Sequence, residues 1–476
     1  MDVWYIAGCH FNIYPDSWSE GLRVALPKGG GDVRPITIVP IFAKIFEIVL
    51  DNRLIFINDA FRKNDMYNGG FLKGSRTQDN IFILQACIQK QLNIKKHLFV
   101  AFVDFKKAFN FVNHNILFYK LFKCGLEGRT IRILRNMYSK IRARVKVNNY
   151  LYKWIEDLCG TNQGGPISPD IFRYMLVDLK DFLASECGIV INENEILLHL
   201  LWADSSGGLQ RQLDGLFKFV SAYQMIINEL KTKIMIFGTD QRHFSFMFNN
   251  KTIGIVEEYK YLGCIFNSCI NNRGNMFKEM ITYSADKGLK ASFAIIKKCS
   301  SLGYVSPKIG LHLFDACVSP IINYSADIWS CGKENDNIER VQLRFIKFLL
   351  GVKSSTCSLA VYGEVGRFPM YLYQRLKIID YWLRLERLNN GSLLSQVYLM
   401  VKSMFNNGFK SWLDTVKYVL QEAHLGIYLD KETLEEGDEQ TILCTSKSVI
   451  YDNFSKSWFS AISNFPKMRT LVKFKK

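Results

Sequence analysis

Six consecutive apolar residues, Leu98 to Val103, run straight into a single carboxylate at Asp104. An unbroken run of this kind is the pattern of a strand covered on both faces, and a helix-like segment follows it. A hundred positions later the stretch LLHLLWADSSGGLQRQLDGL repeats the arrangement. There an apolar strand over Ile196–Trp202 delivers Asp204, and Ser-Ser-Gly-Gly then leads into a helix. The spacing predicts an apolar helix face at Leu209, Leu213, Leu216, Phe217 and Val220. Two buried strands that each end on an aspartate predict a sheet that gathers its carboxylates at one edge. Paired carboxylates suit a pair of Mg²⁺ ions, which take hard oxygen ligands and keep water and phosphate in the rest of the shell. Taken alone, Asp104 serves equally well as a cap for the helix behind it.

The chain of 476 residues is long enough for two or three domains. Its 48% hydrophobic and 14% aromatic content excludes an intrinsically disordered chain. A net charge of +17 and a pI near 9.2 point to a polyanionic partner, nucleic acid first and a membrane surface second. The twelve cysteines are scattered from Cys9 to Cys444 with no C-x-x-C pair, so neither a zinc knuckle nor a disulfide framework is readable. That placement implies a reducing, intracellular setting. No signal peptide is apparent, and no run approaches the roughly eighteen apolar residues of a membrane helix.

Elsewhere LPKGGGDVRPITIVP reads as a Gly-rich basic turn feeding a short strand, and IFAKIFEIVLDNRLIFIN as a helix. A further helix is expected to start near Thr77-Gln78-Asp79. KIRARVKVNN alternates strictly, with Arg142, Arg144 and Lys146 on one face and Ile141, Ala143, Val145 and Val147 on the other. This is a half-buried strand whose basic face fits a nucleic-acid backbone, or an edge strand that uses its charges against aggregation. INELKTKIMIFG and EYKYLGCIF read as two more strands. From about residue 275 the pattern becomes one of amphipathic helices with basic faces.

The order of these segments resembles the reverse transcriptases of non-LTR (LINE-type) retrotransposons. RPITIVPIFAKIFEIVLDNRL and GGFLKGSRTQDNI look like the first fingers motifs, and FVDFKKAFNFVNH like the first catalytic motif of the palm. GTNQGGPISPDIF resembles the Q-G-x-x-x-S-P segment, and WAD the start of the aromatic-Ala-Asp-Asp box. INELKTKIMIFG and YKYLG look like the two motifs after it, and IERVQLRFIKFLLGVKSST like the helical region behind the thumb.

The resemblance implies an α+β right-hand polymerase: fingers, a palm with an antiparallel sheet, a helical thumb and an α-helical C-terminal region. The expected segments are 1–95, 96–270, 271–350 and 351–476. It implies an RNA-directed DNA polymerase that joins a dNTP to a primer 3′-hydroxyl with two Mg²⁺ ions. Asp104 and Asp204 would hold the metals, with the Phe105 carbonyl completing the shell. Phe109 falls at an aromatic steric gate against the ribose 2′-hydroxyl; its plain alternative is core packing. Gln163 and Gly164 would line the incoming nucleotide, the glycine allowing close backbone approach. Arg34 would meet the triphosphate, and Lys231 would reach the β/γ-phosphates, where a plain surface lysine is the alternative. RNA template, DNA primer and dNTPs are the implied partners, with no membrane, in nucleus and cytoplasm.

Three departures stand out. Position 205 is Ser where the family has a second Asp, and the return strand after Asp204 is missing. Position 110 is Asn where the family has Asp. Finally, nothing upstream resembles an endonuclease and the chain starts inside the fingers region. A truncated copy or incomplete gene model is therefore expected, with any endonuclease left to a missing N-terminal region or another chain. The alternative to polymerase activity is a catalytically inactive remnant that at most binds nucleic acid.

Overall fold

The computed structural model describes residues 14–464 apart from 30–31, 63–73, 148–149, 158, 163, 185–187, 193–194, 198–200, 239–242, 269–275, 304, 389–390, 432–433 and 436. It divides into two compact units. The first comprises residues 1–75, 98–236 and 240–256, the second 76–97, 237–239 and 257–476.

The first unit is built on two sheets. One has the order β2-β1-β4-β5, from β1 (Glu20–Gly29), β2 (Asp32–Ile38), β4 (Arg142–Val147) and β5 (Tyr150–Glu156). Strand β1 runs antiparallel to β2 and parallel to β4, and β4 runs antiparallel to β5. The alternating stretch KIRARVKVNN is therefore an interior strand with neighbours on both sides, and the edge-strand reading of it does not hold. The other sheet places β3 (Leu98–Phe102) between β8 (Leu201–Ala203) and β9 (Lys233–Phe237). All five β3 residues are buried, as an uninterrupted apolar run requires. A short antiparallel pair, β6 (Ile189–Asn192) with β7 (Glu195–Leu197), precedes β8, and another, β10 (Met247–Phe248) with β11 (Lys251–Thr252), follows β9.

Helices cover these sheets. They are α1 (Ile41–Arg62), α3 (His114–Lys123), α4 (Gly128–Tyr138), α5 (Ser168–Leu176), the single turn α6 (Leu179–Phe182) and α7 (Ser206–Ala222). One core joins Phe99 and Ala101 of β3 to Leu117 and Leu121 of α3, Ile171 of α5 and Leu213 of α7. Helix α7 buries Leu209, Leu213, Leu216 and Val220 as its spacing predicts, but Phe219 takes the buried place expected for Phe217. The two rings flank the apolar stripe on opposite sides. Phe219 packs edge-on to Phe182 and Tyr223, while Phe217 is 37% exposed and touches Phe248.

The second unit contains α2 (Thr77–Asn93), a hairpin of β12 (Glu258–Tyr261) and β13 (Cys264–Asn267), and then only helices among the described residues. EYKYLGCIF is thus two strands, because Leu262 and Gly263 both take positive φ and close a tight turn between them. The helices are α8 (Lys278–Ser301), α9 (Pro307–Cys317), α10 (Ser319–Ile322), α11 (Ala326–Trp329), α12 (Asp336–Leu349) and α13 (Ser358–Val365). After them come α14 (Met370–Glu386), α15 (Leu393–Asn406), α16 (Leu413–Glu422) and α17 (Asp438–Ser463). Helix α2 is embedded among them: Phe82 meets Tyr381 and Trp412 edge-on at 5.8 and 5.3 Å. Its first turn is fixed by Asp79, which accepts from the Arg76 backbone N–H at 2.8 Å and takes a two-pronged ion pair from Arg384.

Candidate nucleotide cleft and the strand that ends at Asp204

Beyond Phe102 the chain leaves the regular ladder but stays pinned. The Asp104 N–H donates to Thr232 Oγ1 at 3.2 Å, and its carbonyl accepts from the Asn228 N–H at 2.7 Å. Phe105 bridges to Ile227, and the Lys106 N–H donates to the Ile226 carbonyl at 2.8 Å. These bonds hold Asp104 half-buried at the mouth of a cleft of about 980 Å³. After it Lys107 adopts a left-handed conformation, φ +47°, and a 3₁₀ turn over Ala108–Phe111 swings Phe109 back toward α5. The Phe109 ring tilts against Phe172 of α5 with centroids 5.2 Å apart. Its carbonyl accepts from the Thr161 N–H at 2.7 Å.

The opposite wall is the turn that opens α5. Gly164 has φ +114°, and a Cβ there would sit 2.9 Å from the Thr37 carbonyl of β2. The glycine is therefore demanded by the close approach of this turn to β2. Ser168 Oγ donates to the Asn162 carbonyl at 2.8 Å, closing the turn from inside. Beneath it lies Glu47 of α1, only 3% exposed, whose carboxylate accepts from the Ile167 N–H. Burial pushes its pKa up to about 7, against the pull of that hydrogen bond and of Lys44.

Of the residues singled out from the sequence, Arg34, Asp104, Phe105, Phe109, Gly164 and Lys231 all line this one cleft. Gln163 lies outside the described residues. Among the further lining residues, the polar side chains of Lys106, Lys107 and Asn228 escaped the sequence reading. The two lysines were signalled by their place directly behind a strand-terminal aspartate. Asn228 carried no local signal, since its role is to brace the Asp104 carbonyl from across the sheet.

Asp204 is not in the cleft. In the antiparallel pairing of β3 with β8, Phe99 faces Ala203, Val100 faces Trp202 and Ala101 faces Leu201. Asp104 lies five positions beyond Phe99 in one direction, and Asp204 follows Ala203 in the other. Six residue steps at about 3.3 Å put on the order of 20 Å between the two. The expected carboxylate pair is thus not formed. Ions in a two-metal centre sit only about 3.5–4 Å apart, so this donor set does not fit one.

The physical reason is the missing return strand. Strand β8 itself takes the antiparallel place beside β3, on the outer side of this three-stranded sheet, and the chain passes from it directly into α7. Ser205, standing where the family has its second Asp, caps that helix: its Oγ accepts from the Gly208 N–H at 3.1 Å.

The three basic residues of β4 also lie outside the cleft. Arg142 pairs with Glu20 at 2.5 Å, and its guanidinium and that of Arg144 lie over the Trp154 ring at 5.0 and 4.2 Å. Lys146 continues the same face, half-buried.

The chain matches the family described as Reverse transcriptase (RNA-dependent DNA polymerase) over residues 26–266, just over half its length. It is 24% identical to the "Retrovirus-related Pol polyprotein from type-1 retrotransposable element R2" of Nasonia vitripennis, over 53% of this chain and 26% of that protein. It is 22% identical to the "RNA-directed DNA polymerase from mobile element jockey" of Drosophila melanogaster, over 52% of this chain and 29% of that one. The chain thus spans about a quarter of the length of the curated relatives it matches. Among solved structures, telomerase from Candida albicans, in complex with a fragment of telomeric RNA, aligns with 91% of this chain and 71% of its own. That alignment has 12% identity and a TM-score of 0.40. No helix among the described residues is long and apolar enough to cross a membrane. The chain belongs to the reverse transcriptase family, and the relatives it resembles come from the R2 and jockey retrotransposable elements.

Proposed function

We propose that this chain binds a template–primer and a dNTP in the manner of its family but does not extend the primer. The Phe99–Ala203 register carries this reading, because it sends Asp204 to the far end of β3 from Asp104. That Arg34 and Lys231 line the cleft, together with Lys106 and Lys107, supports their reading as triphosphate contacts. The Phe109 ring, which lines the cleft and is backed by Phe172, supports the reading of a steric gate against a ribose 2′-hydroxyl. Gln163 is assigned to the nucleotide by the family resemblance alone. RNA template and DNA primer are the proposed partners, held through their backbones by the basic surface. Among the described residues the cleft holds one carboxylate, Asp104, which does not make the two-Mg²⁺ centre that primer extension needs.

A second reading, a working RNA-directed DNA polymerase, is favoured by the convergence of six expected residues on one cleft. It requires β8 to leave its place beside β3 and run in the opposite sense. Titration of a fluorescent dNTP into the protein with an RNA–DNA primer duplex separates the readings. Saturable binding, weakened at least tenfold by Arg34→Ala and unaccompanied by primer extension, supports the first. Extension under the same conditions supports the second, and absence of dNTP binding overturns both.

A further inference from the structure

We propose that the groove beside α12 in the second unit is a binding site for single-stranded nucleic acid. The groove has a volume of about 840 Å³ and is lined along one side by Arg340, Arg344 and Lys347. The spacing of these three residues, four and then three, sets them in a single ridge on the helix. The opposite face of α12 buries Ile338, Val341, Phe345 and Ile346, so the ridge cannot rotate away. From Arg340 to Lys347 the ridge covers about 10 Å of helix axis. That is room for only a few phosphates of a single strand.

Rings stand beside the cations. Phe348, Tyr371 and Phe454 line the same groove, and Phe348 is 37% exposed. Phe454 is held by Phe368, with ring centroids 5.7 Å apart. Arg344 is steadied by the Phe293 ring 4.5 Å beneath its guanidinium, and Lys347 donates to the Ser354 carbonyl at 2.7 Å. A cationic ridge interleaved with aromatic faces is the combination that tracks a single strand, cations on phosphates and rings on bases.

The floor does not oppose an anion. Glu339 accepts from the Tyr362 hydroxyl, from the Met370 N–H at 2.8 Å and from Gln342 Nε2 at 3.2 Å. Burial pushes its pKa up to about 7, and these donors engage both of its oxygens. Glu334 and Asp336 border the groove too, at the N-terminal end of α12, where negative charge suits the helix dipole. They confine the phosphate path to the Arg340–Lys347 stretch.

The inference does not depend on the cleft, because all these residues belong to the second unit. The test is fluorescence anisotropy of the full chain with labelled single-stranded RNA and DNA oligonucleotides, over a salt series. Arg340→Gln with Arg344→Gln is compared with Lys297→Gln with Lys298→Gln, an exposed pair on α8 that removes the same charge. The first pair is expected to weaken binding at least tenfold and to lower the salt slope by roughly 1.4, two single-strand phosphate contacts. The second pair is expected to change binding less than threefold. Phe348→Ala is expected to weaken binding severalfold at an unchanged slope. An equal loss in both pairs, or no loss in the arginine pair with its melting temperature intact, overturns the site. Duplex binding weakened by the arginine pair as much as single-strand binding overturns it as well.

Discussion

Asp104 and Asp204 leave the β3–β8 pair at opposite ends, because Ala203 lies across from Phe99 at the start of β3. A site for two metal ions needs both carboxylates at one end. Their separation predicts that the two residues behave as unrelated groups. Asp104→Asn is expected to alter dNTP affinity in the cleft severalfold, while Asp204→Asn leaves it unchanged. Equilibrium titration of each variant with a fluorescent dNTP checks this, and equal effects would return Asp204 to the site.

Ser205 occupies the second aspartate's place in the sequence but caps α7 in the fold. Ser205→Ala is expected to cost about 1 kcal/mol in chemical denaturation, the usual worth of an N-cap. Ser205→Asp keeps the cap, so it is expected to preserve stability and to confer no primer extension. Activity in that single variant would mean that the position faces the cleft.

Glu47 links α1 to the turn that opens α5, and its carboxyl titrates near 7 instead of 4.5 because it is buried. The folded state therefore holds its proton more tightly than the unfolded state. Stability from this group is complete below about pH 4.5 and is lost as pH rises through 7. Glu47→Gln is expected to flatten that dependence and to raise stability at pH 8 by at most roughly 3 kcal/mol. Denaturation curves at pH 5 and pH 8 give the comparison; a variant as pH-sensitive as the natural chain would contradict it.

In the second unit, Asp79 satisfies the Arg76 backbone N–H and the Arg384 guanidinium together. Asp79→Ala removes the buried carboxylate that Arg384 and the Tyr381 hydroxyl both engage and is expected to cost about 3–5 kcal/mol. Replacing both partners with Leu and Met is expected to recover most of that loss. Denaturation of the single and double variants measures the difference. A double variant as unstable as the single one would assign the cost to packing.

The parts of this fold that were legible in the sequence are those fixed by local pattern. The apolar run before Asp104 forms the buried central strand β3, and Thr77 opens α2 where the cap pattern set it. The cleft residues around Asp104 follow from strand and turn positions close to it in the chain. What the sequence left hidden depends on partners far away in the chain. Strand β8 has only three residues, too few for its own pattern to fix which strand it pairs with or in which sense. The alternation of β4 was plain, but Glu20 and Trp154, which engage its arginines, come from other strands. The hairpin in EYKYLGCIF escaped because Leu-Gly is not the Asn-Gly or Asp-Gly pair that marks such turns.

Primer extension tests the central claim most directly. The natural chain and a repaired chain, carrying Asp and a Leu-Val-Leu-Leu return strand after Asp204, are each supplied with an oligo-primed RNA template, dNTPs and Mg²⁺. Extension by the repaired chain alone, abolished in it by Asp104→Asn, is the predicted result. Extension by the natural chain, abolished by either Asp104→Asn or Asp204→Asn, would contradict the register that separates the two carboxylates.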